Sequence, residues 1–513
     1  MKWLFKFDKD KWQKRQRQMQ KNLRSMESIR KINRELILFF KRNHEFFHVE
    51  RCIEDAAGDP IAIQKMFDSI PVMASDLMSG NESFQFAATA RLSFLLSTEN
   101  PPIDVVIQSG VVPHFVRFLN EQYGLQHKLY SVRALYAIGK GSLEQAVVVI
   151  KHGAIPMFIR LLCCSEECYQ LKELVAAALG SLANQSPDFR DYVLQFGTLT
   201  PLLSLLDNHL EPPMLHEKIA LLRTCSNTLA IFCQGNPAPS FNQIRSALPI
   251  LRRLIHLNPP VGVIGEVCED ACLCLSYLSN GSAEQIQALI DADVCARLVM
   301  LLGLSDGKIV EHVLRTVGNI FKGVDSQIQI LINNGVFFRL NAILMHGSNS
   351  SVLRKTCSAI STLTARDRNQ IQKIMDAHII PSLLYLSQAD NYDVEVRWDA
   401  ACALSNAARR GSNEQIRFLV SQGCIGPLCD HILCPDRKTS ILCLKGLKSI
   451  LKAGEITYST RNLYTLVITD FDGFGKIEKL QSDPDIGEMA MKLLMKYGVQ
   501  AKMKEGRTTV AKP

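Results

Sequence analysis

The chain has 513 residues, of which 47% are hydrophobic and 21% charged, a composition that excludes a wholly disordered or fibrous protein. No stretch approaches the roughly 18 uninterrupted apolar residues of a membrane span, and the first residues lack the apolar core of a secretory signal, so we expect neither a transmembrane nor a secreted protein. Sixteen cysteines, most of them in apolar runs, then predict a reducing compartment, the cytoplasm or the nucleus.

The first 50 residues form a basic segment. Residues 1–42 hold 14 Lys and Arg against 4 Asp and Glu, so that most of the formal net charge of +8 lies at this end and the remaining chain is slightly negative. Such a segment can fold against an acidic protein groove through charge-assisted contacts. A solvated tail, or direct binding to nucleic acid or membranes, is the alternative, although the slightly negative body argues against nucleic acid as the main ligand.

Residues 61–500 form a tandem repeat. A phrase that opens with a small or turn-forming residue and continues with apolar residues, often including Pro, recurs at about 42 to 45 residues, except for two longer steps around its fourth copy. The copies begin at or near Gly110, Gly153, Gly197, Ala247, Asp293, Gly335, His378 and Gly423. This period, with two or three helices per unit, is typical of armadillo and HEAT repeats. The sequence predicts an all-α, armadillo-repeat right-handed α-solenoid of about ten repeats with a concave groove, followed by a basic tail at 501–513.

Signals for chemistry are weak. Residues 470–481 resemble a calcium-binding loop, but Phe474 replaces an oxygen ligand and Gln481 stands where a bidentate Glu is needed. Cys268 and Cys272 have metal-like spacing without a second Cys/His pair at zinc-site distance. With no phosphate loop, nucleophile elbow or His-Glu-x-x-His motif, the sequence predicts no metal, no cofactor and no enzyme activity.

Several phrases of the repeat region are similar to those of the importin-α family, whose members link nuclear cargo to importin-β. The matching phrases are residues 100–108, 189–194, 272–279, 315–320, 414–420, 423–430 and 476–482. The resemblance runs from about residue 5 to about residue 500. It implies an adaptor for protein import that moves between cytoplasm and nucleus, with cargo in the groove and recycling by an exportin at the C-terminal repeat. It implies no membrane and no direct nucleic-acid partner.

The resemblance extends to the basic segment. Residues 29–31 and 40–43 are similar to the Leu-Arg-Lys and Lys-Arg-Arg-Asn phrases of the family's importin-β-binding segment. It implies importin-β contacts at Arg15, Arg17, Arg30, Lys31, Arg34, Lys41 and Arg42. In the family the second phrase also occupies the cargo groove. Phe40 replaces its first basic residue, so we expect weaker self-inhibition.

The family binds basic nuclear localisation signals through Trp-x-x-x-Asn pairs on the third helix of successive repeats. A spacing of four residues places both side chains on one helical face, where an indole takes an aliphatic lysine stem and the amide holds the peptide backbone. In this chain the corresponding pairs, here called the ladder positions, are Arg133/Ala137, Ala177/Ser181, Asn227/Ile231, Leu273/Tyr277, Arg315/Asn319, Ser358/Thr362 and Cys402/Asn406.

None of the first three ladder pairs is a Trp/Asn pair. Gln185 replaces an expected acid, and Arg133 would repel a lysine-rich ligand. We therefore expect the principal site for basic signals to be degraded.

The later pairs are also diverged, at Leu273, Ser358, Thr362 and Cys402, and Lys355 replaces an acid. The cargo contacts that the resemblance still implies are Tyr277, Arg315, Asn319, Asp399 and Asn406. Trp398 lies out of register and is expected to pack between helices, with a shifted ladder contact as the alternative. An armadillo scaffold that no longer binds ordinary nuclear localisation signals is the alternative function.

Overall fold

The computed structural model describes residues 60–164, 168–210, 216–257, 262–457 and 462–498. The basic segment 1–50, with Arg15, Arg17, Arg30, Lys31, Arg34, Lys41 and Arg42, lies outside the described residues, as does the tail 501–513. The described chain divides between Cys274 and Leu275 into two compact units.

The first unit contains five groups of three helices. They are α1 (Pro60–Asp68), α2 (Ile70–Leu77) and α3 (Glu82–Leu95); α4 (Ile103–Gln108), α5 (Val112–Arg117) and α6 (Leu125–Lys140); α7 (Leu143–Lys151), α8 (Ala154–Cys163) and α9 (Tyr169–Ala183); α10 (Pro187–Gln195), α11 (Leu199–Asn208) and α12 (His216–Cys233); and α13 (Phe241–Ile244), α14 (Leu248–Ile255) and α15 (Gly262–Leu278), the last of which continues into the second unit.

The second unit contains five further groups. They are α16 (Ala283–Asp291), α17 (Cys295–Leu301) and α18 (Gly307–Ile320); α19 (Asp325–Asn333), α20 (Val336–His346) and α21 (Ser350–Thr364); α22 (Arg368–Asp376), α23 (Ile379–Gln388) and α24 (Val394–Arg410); α25 (Asn413–Ser421), α26 (Ile425–Asp430) and α27 (Arg437–Thr457); and α28 (Leu463–Asp470), α29 (Gly473–Glu478) and α30 (Gly487–Leu493). The predicted all-α armadillo-repeat fold is confirmed, with ten such groups in the described ranges.

Local sequence explains where the helices begin. Ser142, Ser282 and Ser412 each open a first helix with a capping box, in which the Ser side chain accepts from a backbone N–H and a Gln three residues later accepts from the Ser backbone. Gly153 and Gly335 precede second helices at φ of 78° and 80°, a left-handed conformation that favours glycine. The recurring phrase is therefore a turn followed by the second helix.

Glutamine side chains connect neighbouring repeats within each unit. The Gln185 amide donates to the carbonyl of Gly139 at 2.9 Å in the first unit. In the second unit, Gln327 donates to the carbonyl of Ala283 at 2.8 Å and Gln415 donates to that of Arg368 at 2.9 Å. The Gly139 carbonyl lies at the C-terminal end of α6, where carbonyls have no intrahelical partner, whereas Ala283 and Arg368 begin their helices. Each bond ties one repeat to the next and so helps to fix their register.

No single helix among the described residues is both long and apolar enough to cross a membrane. Two sharply bent pairs, α7 with α8 and α19 with α20, pass the same test of length and composition when each pair is taken together.

Candidate ligand-binding face of the third helices

The third helices of seven repeats, from α6 to α24, carry the ladder positions along one side. On α9, Glu173, Ala177 and Ser181 lie one turn apart and are half-buried, while Val175 and Leu179 are fully buried in the core. This division follows from the helical period, because positions three and four apart share a face. We call the exposed side of these helices the ladder face.

In the first unit the predicted ladder positions carry no aromatic side chain. Ala177, Ser181 and Ile231 are half-buried and Asn227 is exposed. Arg133 and Ala137 are half-buried on α6. Gln185, at the position expected to be acidic, uses its amide to hold the backbone of the preceding repeat.

A cavity of about 560 Å³ opens on this face between α6, α9, α12 and α15. Its walls include Ala177 and Ser181 from α9 and Asn227 and Ile231 from α12. The helix α6 contributes Tyr136 and Lys140; Arg133 and Ala137 do not line the cavity. The space where aromatic ladder residues are expected is therefore open, and the ladder positions that line it carry no aromatic ring, although Tyr136 lies in its wall.

The cavity has an acidic wall that the sequence reasoning missed. Glu266, Glu269 and Asp270 line it from α15. The three acids follow an i, i+3, i+4 spacing and therefore share one helical face, just before the half-buried ladder position Leu273. This spacing on a predicted third helix is the signal that could have identified them. These carboxylates give the cavity the charge that a cationic side chain needs.

Asp270 is the most perturbed of these acids. Burial raises the pKa of Asp270 to about 6, and the Glu269 and Glu266 carboxylates push it in the same direction, whereas hydrogen bonds from Ser226 and Asn227 oppose the shift. The Ser226 hydroxyl donates to the Asp270 carboxylate at 2.6 Å. Asp270 is therefore partly protonated just below neutral pH and ionised above it.

Glu173, a further acid on the ladder face, accepts a hydrogen bond from the neighbouring repeat. The Thr224 hydroxyl donates to the Glu173 carboxylate at 3.1 Å. Arg223 approaches Glu266 at 3.7 Å, but both side chains are about half exposed, so this pair contributes little and a cationic ligand can displace it.

In the second unit, Arg315 stacks on Tyr277. The guanidinium carbon of Arg315 lies 4.2 Å from the centre of the Tyr277 ring. A cation over an aromatic face is stabilised by about 0.5–1 kcal/mol at an exposed site. The stack is internal to the protein, so Tyr277 holds the arginine side chain in place on the ladder face.

The two asparagines of the second unit's ladder are buried and hydrogen-bonded. Asn319 is 6% exposed; its amide donates to the carbonyl of Ser276 at 3.2 Å and to the hydroxyl of Ser279 at 3.1 Å, and its oxygen accepts from Lys322 at 2.9 Å. Asn406 is also 6% exposed and donates to the Ser361 hydroxyl at 3.0 Å. A peptide can bind either amide only by replacing one of these hydrogen bonds.

Ion pairs join neighbouring third helices of this unit. Arg354 donates to Asp399 at 3.1 Å, and Lys355 donates to Glu311 at 2.8 Å. Burial raises the pKa of Asp399, although the neighbouring Arg354 opposes the shift. Asp399, which the sequence predicts as a cargo contact, is therefore already paired with an arginine of the protein itself.

The remaining predicted positions of this unit offer little to a ligand. Ser358 is exposed, and the Thr362 hydroxyl donates to the Ser358 carbonyl at 3.0 Å. Cys402 is buried, with its thiol 3.2 Å from the Thr439 hydroxyl. Trp398 is half-buried on α24.

In the part of the chain that the structure describes, no group of three or more His, Cys, Asp or Glu side chains is arranged to hold a metal ion. Residues 470–481, which resemble a calcium loop in sequence, form the end of α28, the helix α29 and the turns around it.

Comparison with known proteins gives close relatives over most of the chain. Importin subunit alpha-1a of Oryza sativa subsp. japonica is 41% identical over 497 residues, which cover 95% of this chain and 91% of the relative. Importin subunit alpha-1b of the same species is 38% identical over 446 residues, which cover 86% and 80%. Importin subunit alpha-B of Dictyostelium discoideum is 37% identical over 499 residues, which cover 95% and 94%.

The other two comparisons are less specific. The chain matches no protein-family model. An engineered protein solved by the Northeast Structural Genomics Consortium superposes with a TM-score of 0.70 over 83% of this chain and 98% of its own, at 22% identity, a likeness that supports the fold alone.

Proposed function

The chain belongs to the importin-α family, and we propose on that premise that it is an adaptor in the import of proteins into the nucleus. It binds importin-β through the basic segment 1–50 and carries cargo on the ladder face, moving between cytoplasm and nucleus. The net charge of +10 within residues 1–42 supports an acidic partner surface for this segment. Recycling by an exportin at the C-terminal repeat is a further part of the proposal.

The open cavity in the first unit is the observation that most directly supports an altered cargo range. A lysine-rich signal gains affinity when its aliphatic stems lie between indoles, and here Ala177 and Asn227 offer no aromatic face. Each missing slot removes about 0.5–1 kcal/mol of cation–π attraction, and more when the site is desolvated. Three missing slots weaken an ordinary basic signal by orders of magnitude in Kd. The acids Glu266, Glu269 and Asp270 still provide charge for single cationic residues.

The second unit supplies the other proposed cargo contacts, at Tyr277, Arg315, Asn319, Asp399 and Asn406. The Tyr277–Arg315 stack presents a fixed guanidinium edge, which favours a carbonyl or carboxylate of the ligand. The two asparagines contribute where a peptide replaces their internal hydrogen bonds. Binding at these two residues is therefore an exchange of bonds, with a small net gain.

A second candidate function is a protein-binding scaffold outside transport. It is favoured by the hydrogen bonds that already occupy Asn319 and Asn406 and by the pairing of Asp399 with Arg354, since these leave few free groups for an ordinary signal.

Capture by importin-β separates the two functions. We expect purified importin-β to retain the full chain and to lose it when Arg30 and Lys31 are changed to Glu. A matched variant with Lys65 and Lys479 changed to Glu carries the same change in net charge on exposed lysines of the repeats, and should bind like the native chain. Failure of importin-β to retain the native chain would contradict the adaptor proposal and favour the scaffold.

A further inference from the structure

A line of lysines follows one side of α27, the third helix of the ninth repeat. Lys438, Lys445, Lys448 and Lys452 follow one another on α27 at intervals of seven, three and four residues. At 3.6 residues per turn these intervals return each side chain to within about a quarter-turn of the first. Lys438 and Lys452 are exposed, and Lys445 and Lys448 are partly exposed. We call this surface the lysine face of α27.

The lysine face lies between two neighbouring repeats. Thr439, on one flank of α27, has its hydroxyl 3.2 Å from the thiol of Cys402 in α24. Glu455, on the other flank, pairs with Lys496 at 2.7 Å, beyond the end of α30. The lysines therefore point away from both packed flanks and into the space in front of the ninth repeat.

The acids nearest to the lysine face are already engaged. Asp399 accepts from Arg354 at 3.1 Å, and Asp436 accepts from the backbone N–H of Thr439 at 2.9 Å. None of the four lysines forms an ion pair or side-chain hydrogen bond with any other described residue. Like charges at these spacings repel one another, and Asp399 offsets part of this repulsion only at Lys438, whose charge favours the ionised form of that acid. A negatively charged ligand relieves the rest.

Apolar side chains alternate with the lysines. Leu442, four residues after Lys438, is half-buried, and Ile456, four residues after Lys452, is 72% exposed. An aliphatic side chain of a ligand that covers this exposed isoleucine gains about 25 cal/mol of binding free energy per Å² of apolar area buried. The face thus offers both charge and apolar area to the same ligand.

We propose that the lysine face of α27 is a docking surface for an acidic protein segment that also carries aliphatic side chains. The chain's own basic segment is excluded as the occupant, because its net charge of +10 repels the lysines. Nucleic acid fits poorly, because α27 has no aromatic residue on which a base could stack and Glu455 and Asp436 flank the face. The docking surface accepts a ligand of the opposite charge to a basic localisation signal.

The length of the surface sets the size of the ligand. Lys438 to Ile456 spans 18 residues of helix, about 27 Å at 1.5 Å per residue, which an extended peptide covers with roughly eight to ten residues. A suitable probe is a ten-residue peptide of alternating Glu and Leu with a fluorescent label and a photo-crosslinking group. A peptide with Gln in place of Glu and an oligothymidine of equal charge are the comparison probes.

The test uses the full chain. We expect the acidic peptide to bind and its crosslinks to map to α27, and the change of Lys438 and Lys452 to Gln to weaken binding at α27 about tenfold. These two lysines are exposed, so the variant should fold, and its far-ultraviolet circular dichroism should match the native spectrum. The control variant, with the exposed Lys65 and Lys479 changed to Gln, should bind as the native chain does.

Three results would overturn the proposal. They are crosslinks confined to the basic segment 1–50, equal crosslinking at α27 by the Glu and Gln peptides, and an oligothymidine that binds α27 more tightly than the acidic peptide. None of these results depends on importin-β or on a basic signal, so the proposal stands or falls separately from the adaptor function.

Discussion

Replacing Ala177 with Trp and Ser181 with Asn should restore one aromatic slot on the ladder face of the first unit. Both positions line the 560 Å³ cavity, which leaves room for an indole, and Glu173 lies one turn earlier on the same face. The indole adds about 1 kcal/mol of cation–π attraction and covers two lysine methylenes at about 0.8 kcal/mol each. We expect a gain of about 2–3 kcal/mol in binding free energy, which makes the Kd for a lysine-rich peptide about thirtyfold to 150-fold tighter.

The assay is a calorimetric titration of a lysine-rich peptide into the chain lacking residues 1–50, so that the basic segment cannot compete. The control carries Leu at position 177 with the same Asn at 181, which fills space without a π face. If the Trp variant bound no more tightly than the Leu variant while both remained folded, the argument that missing indoles limit affinity would be refuted.

Three further perturbations test the structure. Binding of a lysine-rich peptide should strengthen between pH 5 and pH 7.5 as Asp270 ionises around its pKa of about 6, and Asp270→Asn should remove this dependence. Because that pKa is raised, the contribution of the Asp270 carboxyl to folding stability is lost as pH rises through 6. The Asn variant should therefore have a higher thermal midpoint than the native chain at pH 7.5 but not at pH 4. Tyr277→Ala should lower the free energy of unfolding by about 1–2 kcal/mol, because it removes both the stack under Arg315 and the apolar contacts of the half-buried ring, whereas Tyr277→Phe should change it by less than about 0.5 kcal/mol. Burial lowers the pKa of His127, whose Nε2 has no hydrogen-bond partner among the described residues. The free energy of unfolding should therefore fall as pH drops below 6.5. Hydrogen exchange in α6 should show a smaller loss of protection at low pH in the His127→Phe variant.

The repeat architecture could be predicted because it rests on local signals. The left-handed Gly153 and Gly335 and the capping serines Ser142, Ser282 and Ser412 recur at the repeat period, and each acts within a few residues of its own position. Such signals are visible in the chain without knowledge of tertiary contacts.

The state of the ladder side chains could not be predicted in the same way. Asn406 bonds to Ser361, 45 residues earlier, and Asp399 to Arg354, also 45 residues earlier, so their engagement depends on how one repeat stacks on the next. The position of Asn406 on the third helix follows from spacing alone, but the partner of its amide does not.

The acidic wall of the first unit could be predicted in part. Glu266, Glu269 and Asp270 have the spacing of one helical face and could have been found by the same periodicity as the repeat. Their convergence on the cavity beside Ala177 and Asn227 depends on three neighbouring repeats and needed the structure.

The most direct test of the account is the affinity of the native chain, without residues 1–50, for an ordinary lysine-rich nuclear localisation peptide. We expect a Kd weaker than about 1 µM, because the first three ladder pairs provide no aromatic slots beside the carboxylates of α15. Submicromolar binding that Asp270→Asn weakens would place the peptide in the cavity of the first unit. It would contradict the claim that this site no longer binds basic signals with high affinity.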